Sequence, residues 1–245
     1  MSRRDYKEEL ALRTDYIRSV LERSGAEGIV YGNSGGKDSA LVGILCKAAC
    51  DDTVGIIMPC GSNRNYTGDT TDAMTVARQF GIETRIVDLS PILTAELKAI
   101  GGKCEVNDRA RINLAPRLRM TTLYAFAAAE NRLVAGTGNR SETYMGYFTK
   151  WGDGAHDFNP ISDLTVTEIY GFLRWLCAPE FLLQKAPSAG LFDTQTDESE
   201  MGVSYADIDR YLLTGEAGER ELEIIKRFHS RSLHKLRPIS TFENP

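Results

Sequence analysis

The sequence has few residues that could build a zinc site or a disulfide framework. Its 245 residues contain three histidines, at positions 156, 229 and 234, and five cysteines, at positions 46, 50, 60, 104 and 177. The histidines form no H-x-x-H or H-E-x-x-H pattern, and the cysteines form no C-x-x-C pair. An odd number of cysteines also argues against a disulfide-stapled fold. We therefore expect neither a zinc site nor a disulfide framework to stabilise the fold.

The sequence also lacks long apolar runs and a basic excess. No stretch approaches the roughly 18 apolar residues of a membrane span, and residues 2–9 lack the apolar region of a signal peptide. The net charge of −5 argues against non-specific binding to nucleic acid. We expect a cytoplasmic protein with no membrane and no nucleic-acid partner.

Apolar runs with strand composition alternate with helical segments along the chain. Strands are predicted at about 28–32, 54–58, 84–89 and 132–136. Helices are predicted at about 4–24, 37–50, 67–80, 91–100, 109–130, 163–177, 205–213 and 219–232. This order favours an α/β fold with a doubly wound parallel sheet flanked by helices. With no linker or repeat, the simplest interpretation is a single domain spanning residues 1–245.

The most informative motif is Gly-Asn-Ser-Gly-Gly-Lys-Asp-Ser at residues 32–39, between the first strand and the following helix. A glycine-rich turn that opens a helix points backbone N–H groups at an anion. Asp38 would repel a phosphate unless a divalent cation lay between them. An ordinary P-loop is excluded, because it requires Ser or Thr at Asp38 and Gly at Tyr31. The dinucleotide-binding fingerprint G-x-G-x-x-G is excluded as well, because Ser34 stands where its second glycine belongs.

A second carboxylate follows the fourth strand, in Thr137-Gly138-Asn139-Arg140-Ser141-Glu142. If the first and fourth strands are neighbours, Asp38 and Glu142 approach one polyphosphate from two sides. Two carboxylates and substrate phosphates suit Mg²⁺. The alternative is that Glu142 is a solvated acidic residue in the first turn of a helix, where its charge interacts favourably with the helix dipole.

Further blocks of the sequence carry a resemblance to a known family. They read Gly-Tyr-Phe-Thr-Lys-Trp-Gly-Asp-Gly at 146–154, Asp-Phe-Asn-Pro-Ile at 157–161, Lys-Ala-Pro-Ser-Ala-Gly-Leu at 185–191 and Gln-Thr-Asp-Glu at 195–198. Together with residues 34–39, they resemble ammonia-dependent NAD synthetase, of the N-type ATP pyrophosphatase superfamily. The resemblance implies an adenine nucleotide α-hydrolase-like fold and a homodimer. It also implies a carbon–nitrogen ligase that amidates deamido-NAD with ammonia, using ATP and Mg²⁺ and giving NAD, AMP and pyrophosphate.

The resemblance also implies roles for individual residues. ATP contacts would come from Gly32, Ser34, Gly35, Gly36, Lys37, Asp38, Ser39, Thr137 and Ser188, and metal ligands from Asp38 and Glu142. Dinucleotide contacts would come from Arg117, Lys150, Asp157, His234 and Lys235. Asp153 would lie near the reacting carboxylate and help to receive ammonia, so the catalytic set is Asp38, Glu142, Lys150 and Asp153. Singly, each of these residues could instead be a solvated or turn residue.

Three positions depart from the family pattern. Val166 stands where a phosphate-binding lysine is usual, Gly190 where an aspartate is usual, and Pro116 where an alanine is common. Pro116 predicts a kink or a new start in the helix over 109–130. The departures leave open a paralogous ligase that acts on another carboxylate, and a non-catalytic nucleotide-binding module. Lys37 either supplies the positive charge that a lysine at position 166 would have brought to the phosphates, or it points to solvent.

Overall fold

The computed structural model describes residues 4–61, 68–184 and 197–242. Helices and strands alternate as far as residue 135, and the described part of the chain beyond it contains helices and no strand. The order is α1 (Tyr6–Ser24), β1 (Gly28–Gly32), α2 (Lys37–Ala49), β2 (Thr53–Ile57), α3 (Thr70–Phe80), β3 (Glu83–Ile86), α4 (Ser90–Ile100), α5 (Asp108–Ala129), β4 (Arg132–Ala135), α6 (Arg140–Met145), α7 (Val166–Trp175), α8 (Glu180–Gln184), α9 (Asp197–Met201), α10 (Tyr205–Thr214) and α11 (Glu219–Leu236). None of these helices is long and apolar enough to cross a membrane.

The strands form one parallel sheet in the order β3-β2-β1-β4. Val30 of β1 lies between Val54 of β2 and Val134 of β4. From β1 the chain adds β2 and then β3 on one side of the sheet. It then crosses back and adds β4 on the other side of β1. The carboxyl ends of β1 and β4 form the switch point at which parallel α/β sheets bind ligands.

All four predicted strands are present, and their bounds differ by a few residues. The third ends at Ile86, although pairing was predicted to Leu89. Val87 and Leu89 still donate to the carbonyls of Ile57 and Pro59. Because Pro59 has no N–H to donate in return, the regular ladder stops there. The start of the helix predicted from residue 67 lies outside the described residues.

The prediction of a new helix start at Pro116 is wrong. Helix α5 runs without interruption from Asp108 to Ala129, with Pro116 buried inside it. A proline inside a helix removes one backbone hydrogen bond. Packing of α5 against β1, β4 and α4 holds the turns on both sides of this position in one helix.

Apolar side chains bury both faces of the sheet. One face packs against α1, α2 and α7 through residues such as Ile29, Leu41 and Phe172. The other packs against α4 and α5 through Val30, Ile56 and Leu93. A third cluster, which includes Met145, Val166 and Tyr205, joins α6, α7 and α10 beside the end of β4. These layers leave the carboxyl ends of the strands open to a cleft.

Candidate active site

A cleft of about 1100 Å³ opens at the carboxyl ends of β1 and β4. Its floor is the loop after β1 and its side is the loop that leads into α6. Its far wall comes from α5, from residues 145–156 and from the end of α11. The predicted residues that line it are Gly32, Ser34, Gly36, Lys37, Asp38, Ser39, Thr137, Glu142, Asp153, His234 and Lys235.

The loop after β1 has the backbone geometry of an anion cradle. Gly35 has φ of +73°, and a Cβ there would lie 2.3 Å from the carbonyl oxygen of Asp69. Both facts require glycine. The hydroxyls of Ser34 and Ser39 lie 3.1 Å apart, and the Ser34 hydroxyl accepts from the Gly36 N–H at 3.3 Å. No described side chain caps the first turn of α2, so its N–H groups remain available to a bound anion.

The loop after β4 ends in a capping box that fixes Glu142. The Asn139 side chain accepts from the Glu142 N–H at 2.9 Å, and Glu142 Oε2 accepts from the Asn139 N–H at 3.3 Å. Glu142 thus lies in the first turn of α6, as the alternative has it, but it is mostly buried and caps the helix with one carboxylate oxygen instead of being solvated. Glu142 also lines the cleft, so capping and ligand binding do not exclude each other.

Three charged side chains meet between the two loops. Lys37 Nζ lies 2.7 Å from Asp38 Oδ2 and 4.0 Å from Glu142 Oε1. Lys37 is only 7% exposed, and its amine also faces the rings of Tyr170 and Tyr205. Burial raises the pKa of Glu142, and the Asp38 charge adds to the rise while Lys37 opposes it. For Lys37, burial lowers the pKa, but Asp38 and Glu142 outweigh it, so the net shift is upward.

This pair of carboxylates could hold a cation only with help from a ligand. In the described part of the chain, no three His, Cys, Asp or Glu side chains lie close enough to form a metal site by themselves. Asp38 and Glu142 do hold a positive charge between them, that of Lys37. The donor set is all oxygen, and the cleft leaves room for phosphate and water ligands. These features fit Mg²⁺ bound together with a nucleotide.

The far wall carries a second group of charges. Asp153 accepts from the Thr149 N–H at 2.9 Å. Its carboxylate is reached by solvent, but it lies inside the cleft, and this partial desolvation raises its pKa although Lys235 and Arg119 oppose the rise. Burial lowers the pKa of Lys235, which donates to the Gly146 carbonyl at 2.7 Å. The wall thus places a carboxylate near two cations, opposite the phosphate loop.

Four predicted site residues do not line the cleft of the described residues: Gly35, Arg117, Lys150 and Asp157. Gly35 shapes the loop after β1 through its positive φ. Arg117 is exposed and donates to the carbonyl of Lys150 at 3.3 Å. Lys150 Nζ donates to the carbonyl of His234 at 2.9 Å and so ties the far wall to α11.

Asp157 has structural partners. Its carboxylate accepts from the Val134 N–H at 2.7 Å and from the Tyr124 hydroxyl at 3.1 Å, which holds the loop against β4. The dinucleotide contacts of Arg117, Lys150 and Asp157 stay predictions. Ser188 and Gly190 lie outside the described residues. Val166 is buried in the third apolar cluster and does not line the cleft.

Three further residues bear on the site although the sequence analysis gave them no role: Asn139, which is buried and contacts Asp38, and Arg119 and His156, which line the cleft. Asn139 is fully buried and donates to Asp38 Oδ1 at 3.0 Å. The N-x-x-E spacing of residues 139–142 is a capping signal that could have identified it. Arg119 lines the cleft and donates to the Met58 carbonyl at 3.1 Å. No sequence signal separates it from Arg117, since the two differ only in helix face.

His156 is the third unassigned residue. Its Nδ1 is buried and has no hydrogen-bond partner among the described residues. Burial lowers its pKa, which favours the neutral ring. A Cβ at Gly136 would lie 2.5 Å from the His156 ring, so this glycine makes room for the imidazole. His156 is therefore a neutral donor or acceptor beside the end of β4.

Comparison with known proteins shows the family of this chain. The sequence model of NAD synthase matches residues 9–240. The NH(3)-dependent NAD(+) synthetase of Carboxydothermus hydrogenoformans is 44% identical over 236 residues, covering 95% of this chain and 96% of its own.

Two solved structures share the fold over nearly the whole chain. An NMN synthetase from Francisella tularensis superposes with a TM-score of 0.93 at 36% identity, covering 99% of this chain and 100% of its own. The NH3-dependent NAD synthetase from Campylobacter jejuni superposes with a TM-score of 0.81 at 30% identity, covering 98% of this chain and 100% of its own. The shared fold is the α/β sheet described above, and the chain belongs to the NAD synthase family.

Proposed function

We propose that the protein is an ATP-dependent ligase that converts deamido-NAD and ammonia into NAD, AMP and pyrophosphate. The nicotinate carboxylate attacks the α-phosphorus of ATP, and pyrophosphate leaves. Ammonia then attacks the acyl carbon, and AMP leaves with the bonding electron pair. The observation that carries the proposal is the meeting of Asp38 and Glu142 beside an anion cradle, in a chain of the NAD synthase family.

The main physical difficulty of this reaction is the approach of one anion to another. The cradle after β1 offers backbone N–H groups and the Ser34 and Ser39 hydroxyls to the phosphates. Such preorganised donors stabilise charge that develops as pyrophosphate departs. Lys235 and Arg119 lie on the opposite wall, where they can neutralise the acceptor. Holding both anions in one cleft also removes much of the entropic cost of their encounter.

Mg²⁺ would be held by Asp38 and Glu142 together with oxygens of ATP. When bound, it would offset phosphate charge on the attacked and leaving groups. Asp153 faces the cleft with a raised pKa, a condition that suits a proton acceptor for the incoming ammonia. Lys150 and Asp157 support this wall through their contacts with α11 and β4.

The decisive experiment incubates the purified chain with ATP, Mg²⁺ and deamido-NAD, with and without ammonium. Formation of NAD, AMP and pyrophosphate in equal amounts, only with ammonium, is expected. Pyrophosphate release only with a different carboxylic acid would support a paralogous ligase. The absence of turnover with any acid, despite ATP binding, would support a nucleotide-binding module.

A second candidate acceptor is the mononucleotide, nicotinate mononucleotide, which would be amidated to NMN. It is favoured by the TM-score of 0.93 with the NMN synthetase, against 0.81 with the NAD synthetase from Campylobacter jejuni. The two acceptors present the same nicotinate carboxylate and differ in the adenylate half. Side-by-side kcat/KM values for both acceptors decide between them. We favour deamido-NAD, because the curated relative at 44% identity is an NAD(+) synthetase.

The quaternary structure and location are part of the same proposal. We infer a homodimer of single-domain subunits in the cytoplasm, on the basis of the family resemblance. Light scattering after size exclusion would give the subunit number. A monomer with full activity would remove the homodimer from the proposal without affecting the chemistry.

A further inference from the structure

Lys37 is an unusual lysine, because it is buried and its ammonium sits among catalytic carboxylates. It is 7% exposed, and its Nζ donates to Asp38 Oδ2 at 2.7 Å. Lysine is almost never buried unless it is paired. Its neighbours are two carboxylates and two aromatic rings, which is the environment of a bound cation.

The position that Lys37 occupies is the position where a metal would be needed. Its ammonium lies between Asp38 and Glu142, the two carboxylates that could hold Mg²⁺. An ammonium and a divalent cation cannot occupy the same place. Metal binding therefore requires the ammonium to move, and its charge must then find another partner.

A new partner lies within reach. Lys37 is the first residue of α2 and follows Gly36, so its stem begins in the anion cradle itself. Lys37 also lines the cleft. A lysine ammonium is a compact charge on a flexible stem and binds phosphate from varied directions. A phosphate oxygen in the cradle is thus the natural acceptor for the displaced amine.

We propose that Lys37 is a resident cation, which holds Asp38 and Glu142 in the metal-free site and transfers its ammonium to a phosphate oxygen when Mg²⁺ and the nucleotide enter. No covalent bond changes, and only the partner of the amine changes. The inference rests on the proposed function for the identity of the nucleotide. It makes Lys37 a competitor of the metal and a ligand of the phosphates.

This double role predicts opposite effects in two binding measurements on Lys37→Met, which removes the charge and keeps the stem. Without nucleotide, Mn²⁺ used as a probe should bind more tightly than to the wild type, because the competing ammonium is gone. Inorganic pyrophosphate with Mg²⁺ should bind about tenfold or more weakly, the effect of losing one charge-assisted hydrogen bond. Titration calorimetry measures both affinities.

Lys47→Met is the matched control, because Lys47 lies on the same helix and pairs with the exposed Asp51. It should leave both affinities unchanged. If Lys37 had a purely structural role, the Lys37→Met variant would bind both Mn²⁺ and pyrophosphate more weakly. If Lys37 had no function, neither affinity would change. Tighter Mn²⁺ with unaltered pyrophosphate affinity would also overturn the proposed transfer. If Lys37→Met does not fold, Lys37→Gln is measured in the same way.

These measurements need neither acceptor nor ammonia. A chain that fails to make NAD can therefore still confirm or overturn the role of Lys37. Conversely, an active enzyme with unchanged affinities in Lys37→Met would retain the proposed function and lose only this inference.

Discussion

The side chain of Asn139 connects the two sides of the candidate active site, since its Nδ2 donates to Asp38 Oδ1 at 3.0 Å. Its Oδ1 accepts from the Glu142 N–H at 2.9 Å, so the same amide starts α6. Asn139 is fully buried. One side chain thus sets the position of Asp38 relative to Glu142, because its amide bonds to the first turns of both α2 and α6.

Asn139→Ala should destabilise the protein by about 2–3 kcal/mol, because it removes a helix cap and leaves a buried hydrogen-bond partner unsatisfied. Asn107→Ala is the control, since Asn107 caps α5 in an exposed position and accepts from the Ala110 N–H at 3.0 Å. It should cost about 1 kcal/mol. Urea unfolding measures both. Equal losses in the two variants would show that the bond to Asp38 contributes nothing.

Asp38→Asn and Glu142→Gln should each lower kcat by about a hundredfold or more, by analogy with the loss of one preorganised charge-stabilising group. Both changes keep the shape of the side chain, and Gln can still accept the capping bond from Asn139. The fold should therefore survive, as circular dichroism would show. Asp51→Asn, just after α2 and fully exposed, should have wild-type activity. Wild-type turnover of both site variants at limiting Mg²⁺ would rule out the two-carboxylate metal site.

Gly35→Ala should abolish ATP binding and destabilise the fold by at least about 2 kcal/mol, since it combines backbone strain with a clash. The new Cβ would lie 2.3 Å from the Asp69 carbonyl oxygen. Gly81→Ala separates the two effects, because Gly81 has φ of +65° but open space around its Cβ position. It should cost about 1 kcal/mol and leave ATP affinity unchanged. Thermal unfolding measures the stability of the Gly35→Ala and Gly81→Ala variants, and titration with ATP measures their nucleotide affinity.

Asp163→Asn should reduce stability near neutral pH by about 1 kcal/mol. Burial alone would raise the pKa of Asp163, but two hydrogen bonds from Arg13, at 2.7 and 2.9 Å, and the nearby Arg4 charge lower it overall. A lowered pKa in the folded state gives stability that is present above the unfolded value and lost as pH falls through the folded one. The difference between wild type and variant should therefore shrink below about pH 4.

Asp15→Asn is the control for this comparison. Asp15 forms an ion pair with Arg18 in which both side chains are at least half exposed. Such pairs contribute little to stability. Its unfolding curve should follow that of the wild type at every pH, and an Asp163→Asn curve that does the same would contradict the expectation.

Activity with ammonium should rise with pH below the pKa of ammonium, because the nucleophile is the free NH₃. At fixed total ammonium, the rate should follow the concentration of NH₃ and not that of NH₄⁺. Glutamine should not replace ammonium for the purified chain. Initial rates at several pH values test this, and sustained glutamine-dependent turnover would contradict it.

The sequence by itself determined the four strands, the helices between them, the parallel sheet and the family, but it did not predict the short helices α6, α8 and α9. Alternating apolar runs and helical segments are local patterns, and they predicted all four strands. The motif at residues 32–39 predicted an anion cradle in the loop after β1, because glycine and a helix start have local chemical causes. The exclusion of an ordinary P-loop at Tyr31 and Asp38 followed from residue identity alone.

Only the tertiary structure decided how the side chains are used. Arg117 and Arg119 are alike in sequence, yet helix rotation exposes the first and turns the second into the cleft. Pro116 predicted a kink or a new helix start, and packing of α5 on the sheet kept the helix continuous without a new start. The burial of Lys37 between Asp38 and Glu142 depends on loops a hundred residues apart in the chain. Such contacts form because β1 and β4 are adjacent strands in the sheet, and no local sequence pattern encodes that adjacency.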